Sequence, residues 1–170
     1  VLCYQAEFAG AEVVAASLFI IGSITDWLDG YLARRLNLGS PFGAFLDPVA
    51  DKLFVTAILI LLLATYNGLM VPAMLIVVRE ITISALREWM ATKGLRGLVA
   101  VAWVGKLKTT LQMIAITLLL GTSPSAMPLF FHLGLGLIWA AAALGVWSMV
   151  SYLVAAKGEN LSSDKDTRGE

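Results

Sequence analysis

The sequence is nearly without cysteine. Cys3 is the single cysteine in 170 residues, which excludes an internal disulfide and a cysteine-built zinc cluster. Charge is scarce too: Asp, Glu, Lys and Arg make up 14% of the chain, against about 25% in an average soluble domain. Twelve basic residues face twelve acidic ones. That balance excludes a basic nucleic-acid binder, and no nucleic acid is expected as a partner. No basic segment precedes the first apolar run, so no cleavable signal peptide is expected. The first residue is Val1 rather than methionine, and the chain is expected to be missing its natural start.

What is present in excess is apolar. Such residues form 59% of the chain without counting glycine, and the mean hydropathy is +0.83. So little polar surface cannot cover a soluble fold. The expected class is an all-α, polytopic membrane helix bundle.

A membrane helix needs about 20 mostly apolar residues, and five segments qualify: 10–34, 41–66, 71–93, 98–120 and 126–157. The runs are too long and too little alternating for strands. Asn37, Gly39, Ser40 and Pro41 separate the first two, with Gly39 suited to a helix end, Ser40 to an N-cap and Pro41 to a first turn. Asn67-Gly68, Gly94 to Gly97 and Gly121 to Pro128 mark the other breaks. Residues 1–158 read as one membrane domain, and 159–170 as a polar cytoplasmic tail expected to be disordered. With the turn after Arg34 inside, the outer loops and the opening carry no Lys or Arg. This predicts a C-terminus inside and chemistry on the cytoplasmic side.

Charges within spans are costly and usually functional. Here Asp26 and Asp29 end the first span, and Asp47, Asp51 and Lys52 begin the second. Arg79, Glu80, Arg87 and Glu88 lie in the third span, and Lys106 and Lys108 begin the fourth. At about 100° per residue, Asp26, Asp29, Gly30 and Ala33 share one helix face, and Gly43, Asp47 and Asp51 share another. Four converging carboxylates repel unless they are protonated or hold a divalent cation. Oxygen ligands without His or Cys suit Mg²⁺ or Mn²⁺, and four carboxylates can hold two such ions, the usual apparatus for displacement at phosphorus. The small residues Gly30, Ala33 and Gly43 let a base or phosphate approach the backbone, and Arg34 can pair with phosphate. A structural ion-pair network is the alternative account of these charges.

Asp26-x-x-Asp29-Gly30-x-x-Ala33-Arg34, then eight residues, then Gly43-x-x-x-Asp47-x-x-x-Asp51 resembles the signature of the CDP-alcohol phosphotransferases at all of its fixed positions. The resemblance implies transfer of a phosphatidyl group from a CDP-linked lipid to an alcohol, with release of CMP. The stretches 79–89 and 105–112 resemble the bacterial branch that uses CDP-diacylglycerol as donor and sn-glycerol 3-phosphate as acceptor. The signature alone is shared by sister branches using inositol phosphate, serine or phosphatidylglycerol. By the resemblance, Asp26, Asp29, Asp47 and Asp51 hold the metal, and Asp51 is also the catalytic base. Asp29, Gly30, Ala33, Arg34 and Gly43 hold the CDP part. It further implies a homodimer in the bacterial cytoplasmic (inner) membrane, a site open to lipid, and one more membrane helix ahead of this chain's first span.

The acceptor's phosphate needs cations. Arg79, Arg87, Lys106 and Lys108 are the candidates, Arg as a bidentate fork and Lys as a point charge; Lys52 is weaker. Snorkelling to anionic headgroups is the plainer role for each. A transporter or channel with an intramembrane acidic site is the remaining reading. It would need acids along a path, and here Asp26, Asp29, Asp47 and Asp51 stay at one depth. His132 and Trp89, Trp103, Trp139 and Trp147 read as interface or packing residues, and 140–145 as a close helix contact.

Overall fold

Long apolar runs closed by Gly, Pro and Asn give helices and little else. The structure is a computed structural model, and it describes residues 10–36, 41–92 and 102–168. Five α-helices make it up: α1 (Ala11–Leu36), α2 (Pro41–Thr65), α3 (Met70–Thr92), α4 (Ala102–Gly121) and α5 (Pro128–Arg168). Among the described residues there is no strand. The chain is all-α, and each helix falls on one of the five expected spans.

Pro41 opens α2, because its missing N–H and fixed φ cost nothing in a first turn. The expected caps at Gly39 and Ser40, and the break at 94–97, lie outside the described residues. At Asn67-Gly68 the chain makes one 3₁₀ turn, Asn67–Leu69, entered through an extended Tyr66. The Met70 N–H donates to the Asn67 carbonyl and starts α3. The tail departs from expectation: α5 runs on to Arg168. After Gly158 the sequence holds no proline or glycine until Gly169, and extending an existing helix is far cheaper than nucleating one.

Among the described residues, three stretches are long and apolar enough to cross a membrane: Ala11–Leu32, Asn67–Met90 and Pro128–Val154. The other two helices have the length, with 25 residues in α2 and 20 in α4. Their charged starts, Asp51-Lys52 and Lys106-x-Lys108, shorten the apolar part. Large side chains point outward, among them Leu53 (65% exposed), Ile81 (65%) and Leu129 (75%), a surface suited to lipid rather than water.

The chain divides into two units: Val1–Met70 with Met113–Leu137, and Val71–Gln112 with Ile138–Glu170. In the first unit, Phe19 of α1 stacks on Phe54 of α2 with centroids 5.7 Å apart. Leu59, Leu62, Ile116, Leu119 and Phe131 are buried in the same unit. Two glycines set close approaches: a Cβ at Gly121 would meet Ala16 Cβ at 3.0 Å, and one at Gly134 would meet Leu118 Cβ and Leu119 Cγ at 3.1 Å. In the second unit, Ile76, Ile83 and Met90 of α3 are buried, as are Ile138, Ala141 and Ala142 of α5.

Candidate active site

The acidic faces belong to the first unit. The Phe19–Phe54 stack, beside Gly22 where an added Cβ would sit 3.7 Å from Phe54 Cζ, fixes how α1 and α2 meet. Phe19 is 17 residues before the end of α1 and Phe54 is 13 after the start of α2, so the helices run antiparallel. One turn down α1 from Gly22 is Asp26; nearly one turn back along α2 from Phe54 is Asp51. The rises, about 6 Å and about 4.5 Å at 1.5 Å per residue, put these two positions at similar depth. Gly22, Asp26 and Asp29 lie on one face of α1 at i, i+4 and i+7; Asp47, Asp51 and Phe54 do the same on α2. Asp26 and Asp51 therefore lie toward the same end of the α1–α2 pair.

Asp26, Asp29 and Asp51 are exposed from the protein, and Gly30 and Gly43 are half-buried. Lys52 is half-buried as well. Ala33 and Arg34 lie on α1 and Asp47 on α2, with side chains outside those described. Among the described residues no three His, Cys, Asp or Glu side chains gather as a ligand group. The donor set still suits a hard divalent ion: carboxylate oxygens on open faces, with no His or Cys among them.

The second unit holds the cations, and it separates them. Arg79 of α3 and Lys108 of α4 are buried, at 7% and 2% exposure. Both bond one oxygen of Glu80: Arg79 Nη1 donates to Oε1 at 3.2 Å, and Lys108 Nζ donates to the same atom. Gly145 of α5 lies against both stems, where a Cβ would sit 3.6 Å from Lys108 Cδ and 3.7 Å from Arg79 Cγ. The close contact expected in 140–145 is thus made on the basic pair. Among the described residues, three buried polar atoms have no hydrogen-bond partner: Arg79 Nε, Gln112 Oε1 and Ser148 Oγ.

Arg87 and Lys106 stand apart from this cluster, and both are exposed. Arg87 lies over the Tyr152 ring, 5.6 Å from its centroid, and Nη2 donates to the Tyr152 hydroxyl at 3.5 Å. Arg79 meets Gly145, and eight residues on Arg87 meets Tyr152. α3 and α5 therefore run parallel in this unit. Lys106 is two positions before Lys108, about 200° around the helix, so one lysine can be buried only if the other is not. Sequence reasoning set four cations together where the structure joins two. It did not find the Glu80–Lys108 pair, whose partners are 28 residues apart and share no periodic signal. Outside the site, the exposed His132 donates from Nδ1 to the Pro128 carbonyl at 2.7 Å, a bond within its own helix.

The family profile described as CDP-alcohol phosphatidyltransferase matches residues 1–147. A CDP-diacylglycerol–glycerol-3-phosphate 3-phosphatidyltransferase from Salmonella typhimurium (strain LT2) is 48% identical over 163 residues, covering 95% of this chain and 88% of that protein. Proteins of the same name from Shigella flexneri and Escherichia coli (strain K12) are 45% identical, with the same coverage.

Proposed function

The chain belongs to the CDP-alcohol phosphatidyltransferase family, and from that premise we propose that it transfers the phosphatidyl group of CDP-diacylglycerol to sn-glycerol 3-phosphate, giving phosphatidylglycerophosphate and CMP. The observation that supports the chemistry is the Phe19–Phe54 stack between α1 and α2, from which helical rise carries Asp26 and Asp51 to similar depth. The choice of acceptor is supported by the names of relatives at 45–48% identity.

The reaction breaks the bond between the phosphatidyl phosphorus and the oxygen shared with CMP. It forms one from that phosphorus to the acceptor's 1-hydroxyl oxygen. Asp51 takes the hydroxyl proton as the new bond forms. Asp26, Asp29, Asp47 and Asp51 would hold Mg²⁺ or Mn²⁺, two ions on this reading. Such ions, when bound, neutralise the pyrophosphate and ease the departure of CMP. Gly30, Ala33 and Gly43 leave room for the CDP part against the helix backbones, with Asp29 and Arg34 beside it. Arg79 and Lys108 receive the acceptor's phosphate, with Arg87 and Lys106 as an outer, exposed pair. The distribution of Lys and Arg supports a site facing the cytoplasm and a C-terminus inside, and the bacterial sources of the relatives support an inner membrane. A homodimer is part of the same reading.

The test is CMP release and lipid product, measured by mass spectrometry in detergent–lipid micelles. The chain receives CDP-diacylglycerol, Mg²⁺ or Mn²⁺ and one acceptor at a time, with chelator and Asp51→Asn as controls. Phosphatidylglycerophosphate formed only with sn-glycerol 3-phosphate, and lost in both controls, is the expected result. Product formed as well without metal or without the Asp51 carboxylate would overturn the mechanism. Product with inositol phosphate, serine or phosphatidylglycerol instead would move the chain to a sister branch.

A further inference from the structure

Glu80 has no part in the chemistry above, yet it is the junction of the second unit's charges. We infer that Glu80 is a positioning residue for acceptor recognition: by binding Arg79 and Lys108 through a single oxygen, it sets the spacing and direction of the two cations that receive the acceptor's phosphate. The inference rests on the acceptor reading proposed above.

Three observations carry it. First, the geometry is convergent. Arg79 Nη1 from α3 and Lys108 Nζ from α4 both donate to Glu80 Oε1, so the two heads are fixed to one point. Their stems are backed by Gly145 of α5, which leaves the heads little freedom to part. Second, the charge count is uneven. Two buried cations share one carboxylate, leaving an excess of one positive charge. Without Glu80 the two cations would repel each other in a desolvated site. With it, they stay together and still attract an anion. Third, the pairing leaves capacity unused. Arg79 spends Nη1 on Glu80, while its Nε is buried without a partner among the described residues. A buried N–H donor without an acceptor is costly, and a phosphate oxygen is an acceptor of the kind that would relieve it.

An ion network serving stability alone is the competing account, and kinetics separate the two. Glu80→Gln keeps the size of the side chain and its Oε1 but removes the charge. The expected result is a rise of about tenfold or more in KM for glycerol 3-phosphate, since an unsatisfied buried charge pair loses its alignment. kcat should fall less, and KM for CDP-diacylglycerol should stay within about twofold. Glu80→Asp keeps the charge but withdraws it by one methylene, and should fall between wild type and Gln. On the Lys108→Met background, Glu80→Gln should raise KM for the acceptor by a smaller factor than it does in wild type, because only the Arg79 bond is left to lose.

An unchanged acceptor KM in both Glu80 variants, with losses confined to melting temperature or kcat, would overturn the inference. If the Gln variant does not fold, the Asp variant decides by the same comparison. A wild type that ignores glycerol 3-phosphate but uses another phosphate-bearing alcohol refutes the acceptor assignment alone. Glu80 is then judged on that alcohol's KM. A wild type that uses only alcohols without phosphate overturns both.

Discussion

The two units handle charge in opposite ways. In the first, Asp26, Asp29 and Asp51 stand exposed on helix faces. In the second, Arg79 and Lys108 are buried, and a carboxylate is supplied to hold them. The difference follows from what each set is proposed to do. Carboxylates that take up and release a divalent ion need an open path. Buried cations need a counter-charge, because an uncompensated buried charge costs several kcal/mol. It follows that the exposed set can be altered with little cost to the fold, so losses there report chemistry. The buried set couples folding to binding, and its variants must be read on both.

The largest expected effect tests the exposed side. Asp51→Asn should lower turnover by about 10²–10⁴-fold, the range for a lost general base. Its stability should stay within about 0.5 kcal/mol of wild type, as for an exposed substitution away from the core. Turnover from CMP release and a thermal melt in detergent check the two halves together. A folding defect as large as the kinetic one would erase the contrast between the units.

The next effect tests the buried side against a neighbour on the same helix. Lys108→Met leaves Glu80 to Arg79 alone and should destabilise the protein by about 1.5–3 kcal/mol, the range for a lost hydrogen bond to a charged group. Lys106→Met, two positions away and exposed, should change stability by less than about 0.5 kcal/mol. Equal melting temperatures in the two variants would show that burial does not distinguish them. A packing change gives the uncharged reference. At Gly134 an added Cβ meets Leu118 and Leu119 at 3.1 Å and the Ala115 carbonyl at 3.4 Å. Gly134→Ala should therefore cost about 1–3 kcal/mol by overpacking, with acceptor KM unchanged. A shift in that KM would mean that acceptor binding is sensitive to packing in the first unit as well as to the charge cluster in the second.

Much of this was legible in the sequence, and the reason is length and period. Five apolar runs broken at Pro41, Asn67-Gly68 and Gly121 to Pro128 gave the five helices, because run length decides what can span lipid. Spacings of three and four put Asp26 with Asp29 and Asp47 with Asp51 on single faces, because both pairs lie within one helix. The helical tail to Arg168 was missed, since polar composition argued against order while no breaker stopped the helix. The basic cluster was read too broadly. Which residues of α3 meet which of α4 depends on how two helices pack, and neither helix's own period states it. The two-residue step from Lys106 to Lys108 did hold a usable sign, for two such positions cannot share a face.

The smallest effect sharpens the division within the second unit itself. Arg87 is exposed and lies over the Tyr152 ring at 5.6 Å. Arg87→Lys keeps the charge and loses the planar stack, so about 0.5–1 kcal/mol of stability should go with it. Because Arg87 has no bond to Glu80 among the described contacts, its replacement by another cation should raise acceptor KM less than Lys108→Met does. Steady-state kinetics with varied glycerol 3-phosphate measure both. An Arg87→Lys variant as impaired toward the acceptor as Lys108→Met would mean that guanidinium geometry at the exposed position matters as much as the buried pair. The acceptor would then be gripped by the outer cations, and Glu80 would hold a cluster that the phosphate does not reach.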